Sequence, residues 1–185
     1  CIMTDDQKLR LSDLLDRIAR LRAAESWRDD LNPSQRAALD YLGRANRFSR
    51  SPSQVADYLA STRGTVSQTL KSLSRKGLVE EVRSEADKRS ISYEVTPQGR
   101  AHLSANRKAS TLADLTDREA GLLTDLLERL LHGVLTQRGG RSFGMCRTCK
   151  YHSQLKSGGY CRLLEIDLLP AEIIQICHEH ERVSA

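Results

Sequence analysis

Four cysteines near the C-terminal end carry the spacing of a ligand set: Cys146-x2-Cys149-x11-Cys161-x15-Cys177. Two thiolates three positions apart reach one metal centre from a single turn, and the two solitary cysteines complete a four-thiolate set. Structural zinc sites often draw on two C-x2-C pairs, whereas iron-sulfur clusters span more space and accept uneven spacing. The pattern favours an iron-sulfur cluster, 4Fe-4S ahead of 2Fe-2S, with zinc as the alternative. Arg147, Lys150 and Arg162 suit the negative charge of either centre. Phe143, Tyr151, Tyr160, Leu163, Leu164 and Ile173 are its expected apolar cover, or simply a small core for the extension. Cys177-His178-Glu179-His180 puts its second histidine two positions on rather than four, so the pair cannot share the helix face that zinc hydrolysis uses. His178 or His180 remains an alternative ligand, or part of a solvated tail. His102 and His132 read as ordinary helix residues. With no triad order, phosphate-cradling glycine loop or paired carboxylates, no enzyme activity is expected.

A second constellation is built for a polyanion. Residues 61–76 hold Arg63, Lys71, Arg75 and Lys76 and no acid, so local charge is concentrated although the whole chain of 185 residues carries only +5. With Val66, Leu70 and Leu73 turned inward, Thr62, Arg63, Thr65, Gln68, Thr69 and Lys71 fall on or near the outer face. A helix fits the major groove of B-DNA, where Arg63 is suited to guanine and Gln68 to adenine. Lys71, Arg75 and Arg83 are placed to hold phosphates, which position a protein without reading sequence. The bland alternative is a solvated basic face.

The elements that must position these residues are legible from periodicity and caps. Leu11, Leu14, Leu15, Ile18 and Leu21 form a helical stripe, in a helix expected from Leu9 to about Trp27. Asn32-Pro33-Ser34-Gln35 and Ser51-Pro52-Ser53-Gln54 each read as a cap with Pro opening a helix. The basic helix starts at Ser61 or Thr62 and stops at Gly77, a residue suited to a left-handed terminus. Residues 78–83 and 90–95 alternate as two strands around a polar tip at 84–89. Thr96-Pro97 starts another helix, and Thr116 with Glu119 has capping-box spacing before a run from Leu122 to Leu135. That helix is apolar over more than one face and is expected to bury against a second subunit as well as its own chain. Residues 137–142 read as a linker.

Helix, helix, basic helix and charged hairpin together are the parts of a winged helix-turn-helix. Residues from about 9 to 137 resemble the multiple antibiotic resistance regulator (MarR) family of bacterial transcription factors. The resemblance rests on Thr65-Val66-Ser67 with Leu70 and Leu73, Gly77-Leu78-Val79, Asp87-x-Arg89 and Thr96-x-x-Gly99. It implies that Arg89, at the tip Asp87-Lys88-Arg89, enters the minor groove and that Asp87 steadies it; a cation in a narrow minor groove meets enhanced negative potential. It also implies a homodimer joined by its N- and C-terminal helices on a near-palindromic operator, recognition helices roughly 34 Å apart. The cysteine extension departs from the family pattern.

Composition agrees with this reading. Aromatics are only 4% and charged residues 29%, which points to amphipathic helices rather than a β-sandwich. No long apolar run or signal-like start is seen, so a cytoplasmic protein with no membrane partner is expected, and clustered thiols there hold metal more often than disulfides. Cys1 precedes Met3 and is given no role. The expected architecture is mainly α with a small β-hairpin wing: a dimerisation helix over 1–31, a winged helix-turn-helix over 32–99, dimerisation helices over 100–138 and a metal-binding module over 139–185. The expected function is a MarR-type transcriptional regulator that binds double-stranded operator DNA and senses redox or iron status through the cluster. The alternatives are a regulator with structural zinc and a small phenolic or lipophilic effector, or an electron-transfer or adaptor protein.

Overall fold

The structure, a computed structural model, describes residues 3–25, 30–83, 91–105 and 114–183. Two compact units divide the chain, residues 1–37 and 38–185. The first holds helix α1 (Asp5–Glu25) and the opening turn of α2 (Pro33–Arg44). The apolar stripe of α1, from Leu9 to Leu21, is exposed along its whole length. Trp27 lies outside the described residues.

The second unit continues α2 and adds α3 (Pro52–Tyr58) and α4 (Arg63–Arg75). A hairpin follows, β1 (Val79–Arg83) with β2 (Ile91–Val95), antiparallel with Val79 opposite Val95 and Arg83 opposite Ile91. Then come α5 (Pro97–Ala105) and α6 (Asp117–Arg138). Four helix starts use the same device, a side chain at the N-cap exchanging hydrogen bonds with Gln or Glu three residues on: Thr4 with Gln7, Asn32 with Gln35, Ser51 with Gln54 and Thr116 with Glu119. Each satisfies amides that a helix start leaves unpaired.

Ala38, Leu39, Tyr41, Leu42, Val55, Val66, Leu70, Leu73, Leu78, Val79, Tyr93 and Val95 form the buried set of the winged helix. Gly77 takes φ +70° to end α4, and Thr96 ties the chain back by donating to the Gly77 carbonyl at 2.7 Å while accepting from the Gly99 amide at 3.0 Å. Gly99 sits so close that a Cβ would overlap the Leu78 carbonyl oxygen. The Thr96-x-x-Gly99 motif therefore locks the base of the hairpin. By contrast α6 buries none of its residues in this chain.

The extension is a small β module. Strand β3 (Gly144–Met145) pairs antiparallel with β7 (Ile176–Cys177), and β4 (His152–Gln154), β5 (Gly159–Cys161) and β6 (Ile166–Leu168) form a three-stranded sheet in that order. Two short 3₁₀ turns, Cys146–Thr148 and Glu172–Ile174, connect them. Helix α6 continues to Arg138 and closes on Gly139 in the left-handed region, so the expected linker begins two residues later than its sequence suggested.

Candidate nucleic-acid interface and sulfur centre

Thr62 caps α4, its hydroxyl accepting from the Thr65 amide at 3.1 Å and meeting the Thr65 hydroxyl at 2.8 Å. Val66, Leu70 and Leu73 are buried, which turns Arg63, Thr65, Gln68, Lys71 and Arg75 outward, all exposed. Thr69 is half-buried and donates back to the Thr65 carbonyl at 2.9 Å. The Thr62 and Thr69 hydroxyls thus serve the helix itself. Beside α4 a cleft of about 410 Å³ is lined by Gln68, Lys71, Ser74, Arg75, Glu81 and Tyr93. Its floor is polar: Glu81 accepts from the Arg83 guanidinium and the Tyr93 hydroxyl, each at 3.1 Å. Burial, then the Glu81 hydrogen bond, raises Tyr93 above the usual phenol range, so it stays a donor. Arg83 is exposed but already paired with Glu81. Asp87, Lys88 and Arg89 lie outside the described residues.

The cysteines come together unequally. Cys146 and Cys177 are buried in one apolar cluster with Leu168, against which Cys161, Phe48, Ile166 and Ile173 pack. Cys149 follows on the same 3₁₀ turn as Cys146, its amide donating to the Cys146 carbonyl at 3.0 Å. The Cys146–Cys177 sulfur contact divides the pair: the Cys146 hydrogen bond holds Cys177 below the ordinary thiol range against its burial, with Asn46 and the Glu179 amide assisting, and raises Cys146.

The expected cover is partly different. Ile173 packs on the cluster, but Leu163 and Leu164 are exposed. Phe143 instead stands edge-on to Tyr58 at 5.2 Å and to His178 at 5.2 Å, and Tyr58 stacks on Tyr41 at 4.4 Å. Phe143 holds φ +41°, a costly region for a bulky residue, and the ring cluster fixes it there. Leu168, Ile166 and Phe48 supply the missing cover; Phe48 comes from the turn between α2 and α3, which spacing within the extension could not disclose.

The histidines of the tail are not solvated. His180 is buried, with Nδ1 3.1 Å from the Ser142 hydroxyl and Nε2 3.0 Å from that of Thr148. Burial lowers its affinity for a proton. His178, also buried, has its ring nitrogens 3.4 Å from Asp57 and 3.1 Å from Glu179. His152, which the sequence did not single out, sits opposite Cys161 across β4 and β5. Its Nε2 is buried with no hydrogen-bond partner in the structure, and a Cβ on Gly159 would overlap its ring. An orphaned buried nitrogen is costly, and a ligand or sulfur acceptor would relieve it.

Among the described residues no three His, Cys, Asp or Glu side chains stand together as ligands of one ion would. Cys161 packs beside the buried Cys146 and Cys177, Cys149 follows on the turn of Cys146, and a buried imidazole nitrogen with no hydrogen-bond partner in the structure lies in the strand opposite Cys161.

The extension is docked on the helix-turn-helix. Asn46 donates its backbone amide to the Ile176 carbonyl at 2.9 Å and its side-chain amide to the Cys146 sulfur at 3.5 Å. The His178 amide donates to the Ser49 hydroxyl at 2.8 Å, and Arg47 pairs with the buried Glu172 at 3.0 Å. Toward α6 the tail makes an ion pair, Arg182 with Glu128 at 2.7 Å. The hydrogen bonds that dock the extension go mainly to the turn between α2 and α3.

Residues 29–90 match the model of the MarR family. A probable transcriptional regulator from Pseudomonas aeruginosa is 27% identical, with 64% of this chain and 95% of that chain covered and a TM-score of 0.51. The transcriptional regulator BldR from Sulfolobus solfataricus is 25% identical, covering 69% and 99%, with a TM-score of 0.53. The fold is also that of MepR from S. aureus in a complex with DNA, 19% identical, covering 72% of this chain and 99% of that one, TM-score 0.54. None of the curated proteins matches. No helix among the described residues is long and apolar enough to cross a membrane. The capped basic helix and locked hairpin form a winged helix that is similar to the MarR family over residues 29–90, and a cysteine module is built against it.

Proposed function

We propose that the chain is a DNA-binding transcriptional regulator that engages a palindromic operator as a homodimer and reports redox or iron status through a four-cysteine iron-sulfur centre. The observation that carries the DNA reading is α4 itself. Arg63, Gln68, Lys71 and Arg75 are exposed on one winged-helix element, with no acidic residue along the helix. Arg63 and Gln68 have the geometry for base edges, Lys71 and Arg75 the charge for phosphates. The DNA in the MepR complex supports the same partner here.

The dimer reading rests on apolar faces that this chain leaves to water. Leu122, Leu126, Leu127, Leu130 and Leu131 of α6 are all exposed, as are Leu11, Leu14 and Ile18 of α1. Patches of this kind mark association surfaces. For the centre, Cys146, Cys149, Cys161 and Cys177 are the ligands, and a bound cluster would supply one-electron chemistry and lability toward oxidants. The chain's own part is to bury Cys146 and Cys177 and to pack Leu168 and Ile173 against them.

Anaerobic reconstitution with iron and sulfide, followed by visible spectroscopy, metal analysis and selection of bound duplexes from a random pool, tests the whole. Brown protein with stoichiometric iron and sulfide that enriches a palindrome is expected. Colourless protein with one zinc per chain would replace the sensor by a structural site. Metal-loaded protein that enriches no sequence would overturn the regulator reading.

A further inference from the structure

We propose that Glu81 is a charge-balancing residue of the DNA interface: it cancels Arg83 on the hairpin side of the cleft beside α4, and leaves the backbone phosphates to Lys71 and Arg75 on the helix side. The inference rests on the DNA reading above and deepens it. Arg83, which its charge alone marks as a phosphate anchor, is then not a separate one.

Strand alternation puts Glu81 in that place. Val79, Glu81 and Arg83 share one face of β1, and the register sets Tyr93 directly opposite Glu81. Val79 and Tyr93 are buried, so this face turns toward the body of the winged helix. Glu81 and Tyr93 accordingly line the 410 Å³ cleft whose other wall is Gln68, Lys71, Ser74 and Arg75 of α4. Glu80 and Glu94 alternate to the other face of the hairpin. Glu81 is the one acid in the lining of the cleft among the described residues.

Both carboxylate oxygens are engaged. One accepts from Nε of Arg83 and the other from the Tyr93 hydroxyl, each at 3.1 Å. An exposed ion pair between two long side chains is loose by itself. Here one partner is fixed, because Tyr93 is buried and its backbone amide donates to the Arg50 carbonyl at 3.0 Å. A guanidinium neutralised in this way adds little to the attraction for a polyanion. Lys71 and Arg75, by contrast, stand on a helix that carries no acidic residue. Each phosphate neutralised by a cation contributes about 0.9 to the slope of log affinity against log salt, so a balanced pair and a free arginine are distinguishable by titration.

The test measures that slope for the full chain on a duplex selected by wild type and on an unrelated duplex of the same length. Wild type is compared with Glu81→Gln, Arg83→Ala and the double variant; both side chains are exposed, and circular dichroism should show the fold intact in all. Glu81→Gln releases Arg83 to phosphate, so it should tighten binding to both duplexes and steepen the slope by about 0.9. Arg83→Ala leaves the carboxylate uncompensated and should weaken binding and flatten the slope by a similar amount. The double variant restores the charge of the wall and should return to the wild-type slope on both duplexes. Were Arg83 a plain phosphate anchor, Arg83→Ala would flatten the slope, Glu81→Gln would leave it unchanged and the double variant would stay flat. That pattern, or four equal slopes, overturns the inference. Wild type that selects no duplex at all overturns instead the DNA reading on which it stands.

Discussion

Arg63 is the residue whose exposure and position say most about sequence reading. It opens the first turn of α4, where the N-terminal end of a recognition helix meets base edges, and it is turned to solvent. Arg63→Ala should weaken discrimination at one operator position by about 1 to 3 kcal/mol and leave the rest of the site unchanged, as a binding titration across single-base operator variants would reveal. Lys71→Ala should behave differently, lowering affinity for all sequences alike and reducing the salt dependence by about one counterion. Equal loss on every base from Arg63→Ala would reassign it to phosphate. The outward set on α4 was legible because helical period alone decides which residues follow Val66, Leu70 and Leu73 inward. The positions of Asn46 and His152 were not legible, since neither belongs to a local pattern: one meets Cys146 a hundred residues away and the other stands opposite Cys161 across a sheet.

At the scale of elements, caps and glycines carried the reading. Gly99 follows Thr96 into contact with the Leu78 carbonyl, so Gly99→Ala has nowhere to put its methyl group. It should destabilise the winged helix by about 1 to 3 kcal/mol in a denaturant titration, overpacking against backbone being hard to relax. The start of α6 gives a pH prediction. Hydrogen bonds from Thr116, side chain first and backbone second, hold Glu119 below the usual carboxylate range. A depressed carboxyl stabilises the fold above its unfolded titration range and loses that contribution as pH falls through its folded value. Helicity should therefore drop at acid pH below the ordinary Glu range in wild type, and Glu119→Gln should remove that part of the acid dependence, as circular dichroism against pH will show. The extension was less legible at this scale: its strands are two or three residues long, too short for alternation to register.

For the whole molecule the unfinished surface is α6. Its apolar residues occupy more than one face, and none is buried within the chain. If the proposed homodimer forms through α6, replacing Leu126 and Leu130 together by Lys should give monomer in sedimentation equilibrium and abolish cooperative binding to a palindrome, while the winged helix keeps its thermal transition. A dimer that survives this change would locate the association surface elsewhere. Cys161→Ser is the complementary test: it should prevent iron and sulfide uptake and leave the dimer intact, because Cys161 belongs to the extension's core and α6 does not depend on it. Dissociation on that substitution would make the centre a structural staple.

Local chemistry in the chain determined the capped helices, the basic outward face of α4, the glycine stop after it and the Thr96–Gly99 turn that opens α5. These depend on contacts between residues a few positions apart, where period and propensity dictate geometry. Only the tertiary structure decided where the cysteine module sits, that Phe48 and Leu168 rather than Leu163 and Leu164 pack on it, that its tail histidines are buried, and that an asparagine in the turn between α2 and α3 reaches its sulfur. Those outcomes come from matching unpaired backbone and side-chain groups over a hundred residues of separation, a condition that no stretch of sequence expresses by itself.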